Sequence, residues 1–293
     1  MLEPALLSAI QDLEFVARVT VEGALSGLHR SPFHGYSAEF SQYRHYRAGD
    51  DLKYVDWKLF ARTDRLYTKQ FRETTNVRVQ VVLDSSASMA FEGESGLSKL
   101  GYARLLAGAL SHLVMGQGDA AGLTVYDDDV TAYLGSRPGR AHLRAILVKL
   151  SNTSATGGTA SAAPIRRAVD LLRTRGVLVL MSDLYDDEDA LDAELRRAAR
   201  MGHDLTVFHV LTREEIEWPW RGDFEVEDSE TRRRVLTSAA AAGAYRGRMA
   251  HFMRRWRERC TSSNITYVLA RTDAPPDRTL REYLLRRGRR ETR

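Results

Sequence analysis

Polar and apolar positions alternate through Val77-Arg78-Val79-Gln80-Val81, then give way to a continuously apolar Val81-Val82-Leu83. That is the pattern of a strand entering a sheet and becoming buried on both faces. The run stops abruptly at Asp84-Ser85-Ser86-Ala87-Ser88. A second apolar run, Val177–Met181, has the length of a central parallel strand and ends in Ser182-Asp183. Further strands are predicted at Leu123–Tyr126, Leu205–Leu211 and Ile265–Ala270. Asp127-Asp128-Asp129 reads as a hairpin turn into Val130–Leu134, because Asp is a turn former without any cation. Helical spacing separates these runs. Leu100, Ala103, Leu106, Leu110 and Leu113 predict a helix over Lys99–Met115, stopped by Gly116 and Gly118. Arg140–Leu150 and Ala239–Cys260 read as helices. Pro164 suits a first helical turn after the loop SNTSATGGTASAAP. Asp186-Asp187-Glu188-Asp189 would open another helix at the positive end of its dipole.

Strands alternating with helices predict an α/β fold with an open, mostly parallel, doubly wound sheet. Residues 1–19 read as an amphipathic helix, Leu66–Phe71 as a strand and Tyr283–Arg287 as a short final helix. Residues 20–76 are too apolar for a flexible linker and lack clean periodicity. The expected division is therefore an irregular N-terminal extension, 1–76, packed on a main domain, 77–293, with a polar excursion at about 212–238.

Composition narrows the class. With 293 residues, 43% hydrophobic and 28% charged, the chain reads as an ordinary globular protein. Its single cysteine, Cys260, excludes an intramolecular disulfide and a cysteine-clustered metal site, which suits a reducing, cytoplasmic setting. The N-terminus has no basic region of the signal-peptide kind, and no apolar stretch is long enough to span a membrane. The last thirteen residues hold six Arg against two Glu, which accounts for the whole net charge of +4. This tail reads as a solvated end. Without an aromatic-rich basic stripe, no nucleic-acid partner is expected.

The candidate chemistry lies at the strand ends, where open α/β sheets place their ligands. Asp84, Ser86 and Ser88 offer one carboxylate and two hydroxyls, hard oxygen donors that suit Mg²⁺. Asp183 ends the later strand, and Gly157-Gly158-Thr159 precedes a helix on the same face, its glycines letting backbone approach a bound ion. Such a set does not over-neutralise a dication, and Mg²⁺ readily takes an outside oxygen ligand. Catalysis fits less well. A Mg²⁺-dependent phosphotransferase of the haloacid dehalogenase type needs a second carboxylate where Ser86 stands. No GxSxG, HExxH or GxxxxGK[ST] motif occurs, and none of His29, His34, His45, His203 and His209 is placed by spacing beside Ser86 or Ser88. Each of these histidines reads as structural. No catalytic residue is assigned, and a Mg-dependent phosphotransferase or hydrolase stays the rival class.

The set Asp84-x-Ser86-x-Ser88, Thr159 and Asp183 resembles the metal-ion-dependent adhesion site of von Willebrand factor A domains. That resemblance implies a Rossmann-type fold in which Ser86, Ser88 and Thr159 are donors to Mg²⁺, with Asp84 and Asp183 holding it directly or through water. Mn²⁺ or Ca²⁺ would also suit. Many such domains have Asp-Gly at the third element, whereas Leu184 follows Asp183 here, so the next loop is expected to differ. Upstream, Arg44-x-Tyr46-x-x-Gly49-Asp50-Asp51-x-Lys53-x-Val55-Asp56-Trp57-x-x-x-Ala61-Arg62 is similar to the signature of the bacterial family called domain of unknown function 58. Lys53 departs mildly from the more usual Arg. Members of that family accompany MoxR-type AAA+ ATPases, which implies an adaptor or co-chaperone gripping an Asp or Glu of a client protein. A third reading is a scaffold binding through the N-terminal block, with Arg44, Tyr46, Asp50, Asp56, Trp57 and Arg62 as candidate contacts. Against it, Trp57 and Tyr46 would pack the block onto the sheet while Asp50 and Asp56 pair with neighbouring Arg.

Overall fold

The computed structural model describes residues 4–26, 38–47, 50, 55–73, 77–158, 162–172, 174–220, 224–227, 234–237 and 241–291. Contacts divide the chain into two compact units, Met1–Pro32 with Arg78–Arg293, and Phe33–Val77.

The larger unit is built on a six-stranded sheet. Its strands are β3 (Arg78–Asp84), β4 (Ala120–Tyr126), β5 (Val130–Arg137), β6 (Val177–Ser182), β7 (Asp204–Leu211) and β10 (Thr266–Arg271). Their order is β10-β7-β6-β3-β4-β5, and every pairing is parallel except β4 with β5. Taken in chain order this is the doubly wound order 3-2-1-4-5-6, with its reversal between β3 and β6. β3 is buried from Val79 to Asp84, as a central strand must be. Gln80 is an exception to its neighbours' chemistry. It lies inside, donating to Thr124 Oγ1 at 3.0 Å and to the Leu134 carbonyl at 3.3 Å, while accepting from Ser136 Oγ at 2.9 Å. These bonds remove the cost of burying an amide.

The helices of this unit are α1 (Pro4–Leu25), α3 (Lys99–Gly116), α4 (Arg140–Ser151), α5 (Ala162–Asp170), α6 (Glu188–Arg200), α7 (Arg213–Glu217), α8 (Ala241–Ser262) and α9 (Pro276–Glu291). Leu13, Ala17, Val21 and Ala24 form the buried stripe of α1, which packs against α3, α4 and α9. An apolar stripe needs such partners, so the boundary differs from the expected 1–76 and the first helix belongs with the sheet. The excursion holds α7 and the hairpin of β8 (Phe224–Glu227) with β9 (Arg234–Thr237). The C-terminal end is also corrected. The short helix expected at Tyr283–Arg287 lies within a helix of 16 residues that buries Leu280, Tyr283 and Leu284, and its Arg287 pairs with Asp204 at 2.6 Å. Among the described residues no helix is long and apolar enough to cross a membrane.

The smaller unit pairs β1 (Ala38–His45) antiparallel with β2 (Tyr67–Glu73), and between them lies α2 (Trp57–Thr63).

Candidate metal centre

The register of the sheet sets Leu83 of β3 beside Met181 of β6, so both chains emerge together at the point where strand order reverses. Asp84 and Asp183 leave the sheet there, and both are fully buried. Asp84 Oδ1 accepts the backbone N–H of Ser86 at 2.9 Å, and Oδ2 accepts the hydroxyl of Ser182 at 2.6 Å. Even with these bonds, burial first and the charge of Asp183 second push the Asp84 carboxyl up to about 6. A buried carboxyl close to a second carboxylate resists ionisation.

The hydroxyls come from a single tight turn over Ala87–Ala90. Ser86 Oγ and Ser88 Oγ lie 3.1 Å apart. Ser86 is buried and Ser88 half-buried, so Ser88 is the member that solvent reaches. The loop before α5 meets this turn: Ala87 N–H donates to the Gly157 carbonyl at 3.2 Å, and Thr156 N–H to the Ser85 carbonyl at 2.8 Å. Its glycines have a reason apart from any ion. A Cβ at Gly158 would stand 2.8 Å from Asp128 Oδ1, and Gly157 has φ +82 beside Asp127. The acidic turn thus clamps this loop, Asp128 accepting the Gly158 N–H at 3.2 Å, while Asp129 pairs with Arg167 at 2.8 Å. Thr159, the fifth expected donor, lies outside the described residues.

After Asp183, Leu184 takes φ 60, the left-handed conformation for which glycine is the usual choice. Its side chain is fully buried and its N–H donates to Ser182 Oγ at 2.9 Å. The loop therefore makes a left-handed turn without a glycine, with burial of Leu184 offsetting the strain. His209 is the structural histidine expected. It is buried on β7, with Nδ1 2.8 Å from the Tyr267 hydroxyl and Nε2 2.9 Å from the Asp183 carbonyl oxygen. Burial holds its pKa down to about 4.

One occupant of this region has no counterpart among the predicted ligands. Lys99, the first residue of α3, has its Nζ 2.7 Å from Asp183 Oδ2 and 2.6 Å from Glu215 Oε1. Burial alone would push the ammonium down, but the charges of Asp183 and Glu215 hold it above its ordinary value. Glu215 in turn closes the capping box of α7, its Oε2 accepting the Thr212 N–H at 2.8 Å. Sequence reasoning missed Ser182, Lys99 and Glu215. Two signals were present: a lysine in a first helical turn opposes the helix dipole, and Thr212-x-x-Glu215 is a capping-box pattern.

The donors brought together are two carboxylates and two hydroxyls. Among the described residues no group of three or more His, Cys, Asp or Glu stands ready for a metal ion. The set suits Mg²⁺, which keeps waters and needs few protein ligands, and not zinc.

The candidate residues of the smaller unit divide by role. Arg44 pairs with Asp50 at 2.7 Å, as expected, and Asp50 also accepts the Arg47 N–H at 2.9 Å. Asp56 caps α2 by accepting from Lys58 and Leu59 N–H at 3.0 Å, and takes the Tyr43 hydroxyl at 2.9 Å. Tyr46 is half-buried and Arg62 exposed. Trp57 is 57% exposed, which corrects the expectation that it is a packing residue. As the first residue of α2, beside its cap, it meets the Phe60 ring edge to face.

Residues 42–259 match the family described as "Protein of unknown function DUF58". The chain belongs to this family. This DUF58 chain is 29% identical over 236 residues to "Uncharacterized protein Rv1480" of Mycobacterium tuberculosis (strain ATCC 25618 / H37Rv), a match covering 78% of this chain and 72% of that one. The same values hold for "Uncharacterized protein Mb1516" of Mycobacterium bovis. Among solved structures it is similar to BatB from Bacteroides thetaiotaomicron, at 17% identity and TM-score 0.48, over 73% of this chain and 99% of that chain. It is also similar to a von Willebrand factor type A protein from Catenulispora acidiphila, at 11% identity and TM-score 0.43, over 76% and 45% of the two chains.

Proposed function

We propose that this protein is a metal-dependent, protein-binding adaptor or co-chaperone that works with a MoxR-type AAA+ ATPase in the cytoplasm. In this reading Asp84, Ser86, Ser88 and Asp183, together with Thr159, hold Mg²⁺, or Mn²⁺ or Ca²⁺ in its place. The bound ion supplies an open coordination position for an Asp or Glu carboxylate of a partner protein. The observation that carries the reading is the pair of buried carboxyl groups at the strand-order reversal, flanked by two hydroxyls, with the Asp84 carboxyl raised by burial and by the charge of Asp183. The same geometry disfavours catalysis. His209 is bonded at both ring nitrogens and Lys99 is held between two carboxylates, so neither is free to move a proton.

The test is a pull-down of the MoxR-type ATPase of the same genome by wild type and by Asp84→Ala, in the presence of Mg²⁺. Retention by wild type and loss with Asp84→Ala is the expected result. Because chelators also strip the nucleotide's Mg²⁺, the variant is the decisive arm. Equal retention by both would remove the metal site from ATPase binding and turn attention to the smaller unit, whose exposed Trp57 favours that second reading.

A further inference from the structure

Lys99 is an expensive residue where it stands. Its side chain is 1% exposed, it opens α3 directly after the Ser98 cap, and the Tyr185 ring lies 4.9 Å from its Nζ. A cation is disfavoured in the first turn of a helix, and burying one forfeits its hydration. A buried ion pair seldom repays this in stability, since apolar side chains of the same size commonly do as well. What the position does provide is a fixed positive charge in contact with Asp183, one of the two carboxylates of the candidate metal centre.

The consequence is electrostatic. Asp84 and Asp183 alone would match the two charges of Mg²⁺. The ammonium already answers Asp183, so a dication entering beside it meets one uncompensated carboxylate and a nearby like charge. Glu215 does not restore the balance at the ion. It reaches the metal ligands only through the ammonium, and its other oxygen is held by Thr212 N–H. Coulomb attraction falls with distance, so the nearer Lys99 dominates. We infer that Lys99 keeps the centre deliberately short of negative charge, so that a dication binds weakly by itself and firmly only together with an outside carboxylate. The partner's acidic group is then part of the binding site for the ion, and the ion part of the site for the acidic group. This deepens the adaptor reading and rests on it. It assigns to Lys99 and Glu215 the setting of how strongly the two ligands depend on each other.

The geometry gives the two residues opposite signs. Removing the charge of Glu215 leaves the ammonium less answered and should weaken dication binding. Removing both charges should strengthen it. The pair Lys99→Gln with Glu215→Gln keeps an amide donor for Asp183 and leaves the net charge unchanged. The probe is Mn²⁺, titrated by electron paramagnetic resonance with and without acetate, on wild type, Asp84→Ala, Glu215→Gln and the double variant. Circular dichroism of each reports folding. For wild type, acetate should raise Mn²⁺ affinity several-fold. In the double variant, Mn²⁺ should bind at least about tenfold more tightly without acetate, with the gain from acetate largely gone. Glu215→Gln should bind Mn²⁺ more weakly than wild type. This variant keeps the test decisive if the double one does not fold. If the variants weaken binding together, or leave it as in wild type, while wild type binds Mn²⁺ in an Asp84-dependent way, the role given to Lys99 is wrong and the metal centre stands. If wild type binds no Mn²⁺, or binds it equally with Asp84→Ala, the metal centre and this inference fall together.

Discussion

At Asp84 the pH dependence has a definite sign. Its folded value, about 6, lies above the ordinary 3.8, so its contribution to stability is complete below 3.8 and is lost as pH rises through 6. Above that pH a buried Asp84 carboxylate stands beside Asp183 at a cost on the order of 3 kcal/mol. A dication should offset this cost. Mg²⁺ is therefore expected to raise Tm more at about pH 7.5 than at about pH 5. His209 runs the other way: lowered to about 4, it contributes fully above about pH 6.5 and loses that contribution as pH falls through 4. Comparing scans with and without Mg²⁺ at the same pH cancels His209 and leaves the carboxylate pair. An increment independent of pH would remove Asp84 from the metal centre. Asp84, Ser86, Ser88 and Asp183 were legible because each stands where an apolar run ends, and a strand end is where this fold puts chemistry. Lys99 was not, because a lysine at a helix start reads as solvated until its burial is known.

Among the elements, the central strands and long helices were legible because burial on both faces and a period of 3.6 leave strong patterns. Two helices were read only in part. The first helix was assigned to the extension, although the partners of its stripe, α3, α4 and α9, come from much later in the chain. Periodicity announces a buried face and not what covers it. In the last helix, Leu280, Tyr283, Leu284 and Arg287 are its buried face, but the Arg residues between them hid the stripe. Of the irregular N-terminal segment, α2 has a clear local logic. Asp56 caps it, and Asp64 at φ 54 closes it in the left-handed conformation common at helix ends. Trp57 contributes little to that logic, being 57% exposed. Trp57→Ala should therefore change stability by less than about 0.5 kcal/mol, read from a urea midpoint. Its effect on ATPase retention then reports binding alone. A large fall in the midpoint would return Trp57 to the packing role first expected of it.

At the scale of the whole molecule, the sheet unit is closed by the two ends of its own sequence. α9 packs against α1 and β10, and α1 against α3 and α4, so the first and last helices cover one another. Arg287 fixes the end of α9 to Asp204 at the start of β7, and Tyr102 of α3 shares a hydrogen bond of 2.8 Å with Thr279. Deleting residues 276–293 removes Leu280, Tyr283 and Leu284 from the core, each about 1.5–3 kcal/mol of burial, and uncovers one side of α1. A domain has about 5–15 kcal/mol in total, so the truncated protein is expected to be only marginally folded, with a large drop in its urea midpoint. α1 should show the loss first, as faster amide exchange over 12–25, because α9 is one of the three helices, with α3 and α4, that it packs against most extensively. Were the Arg-rich end the solvated tail its composition suggests, the midpoint and the exchange of α1 would both stay where they are. The experiment therefore separates an end that carries charge for a partner from one that holds the fold together, and the burial of Tyr283 and Arg287 favours the second.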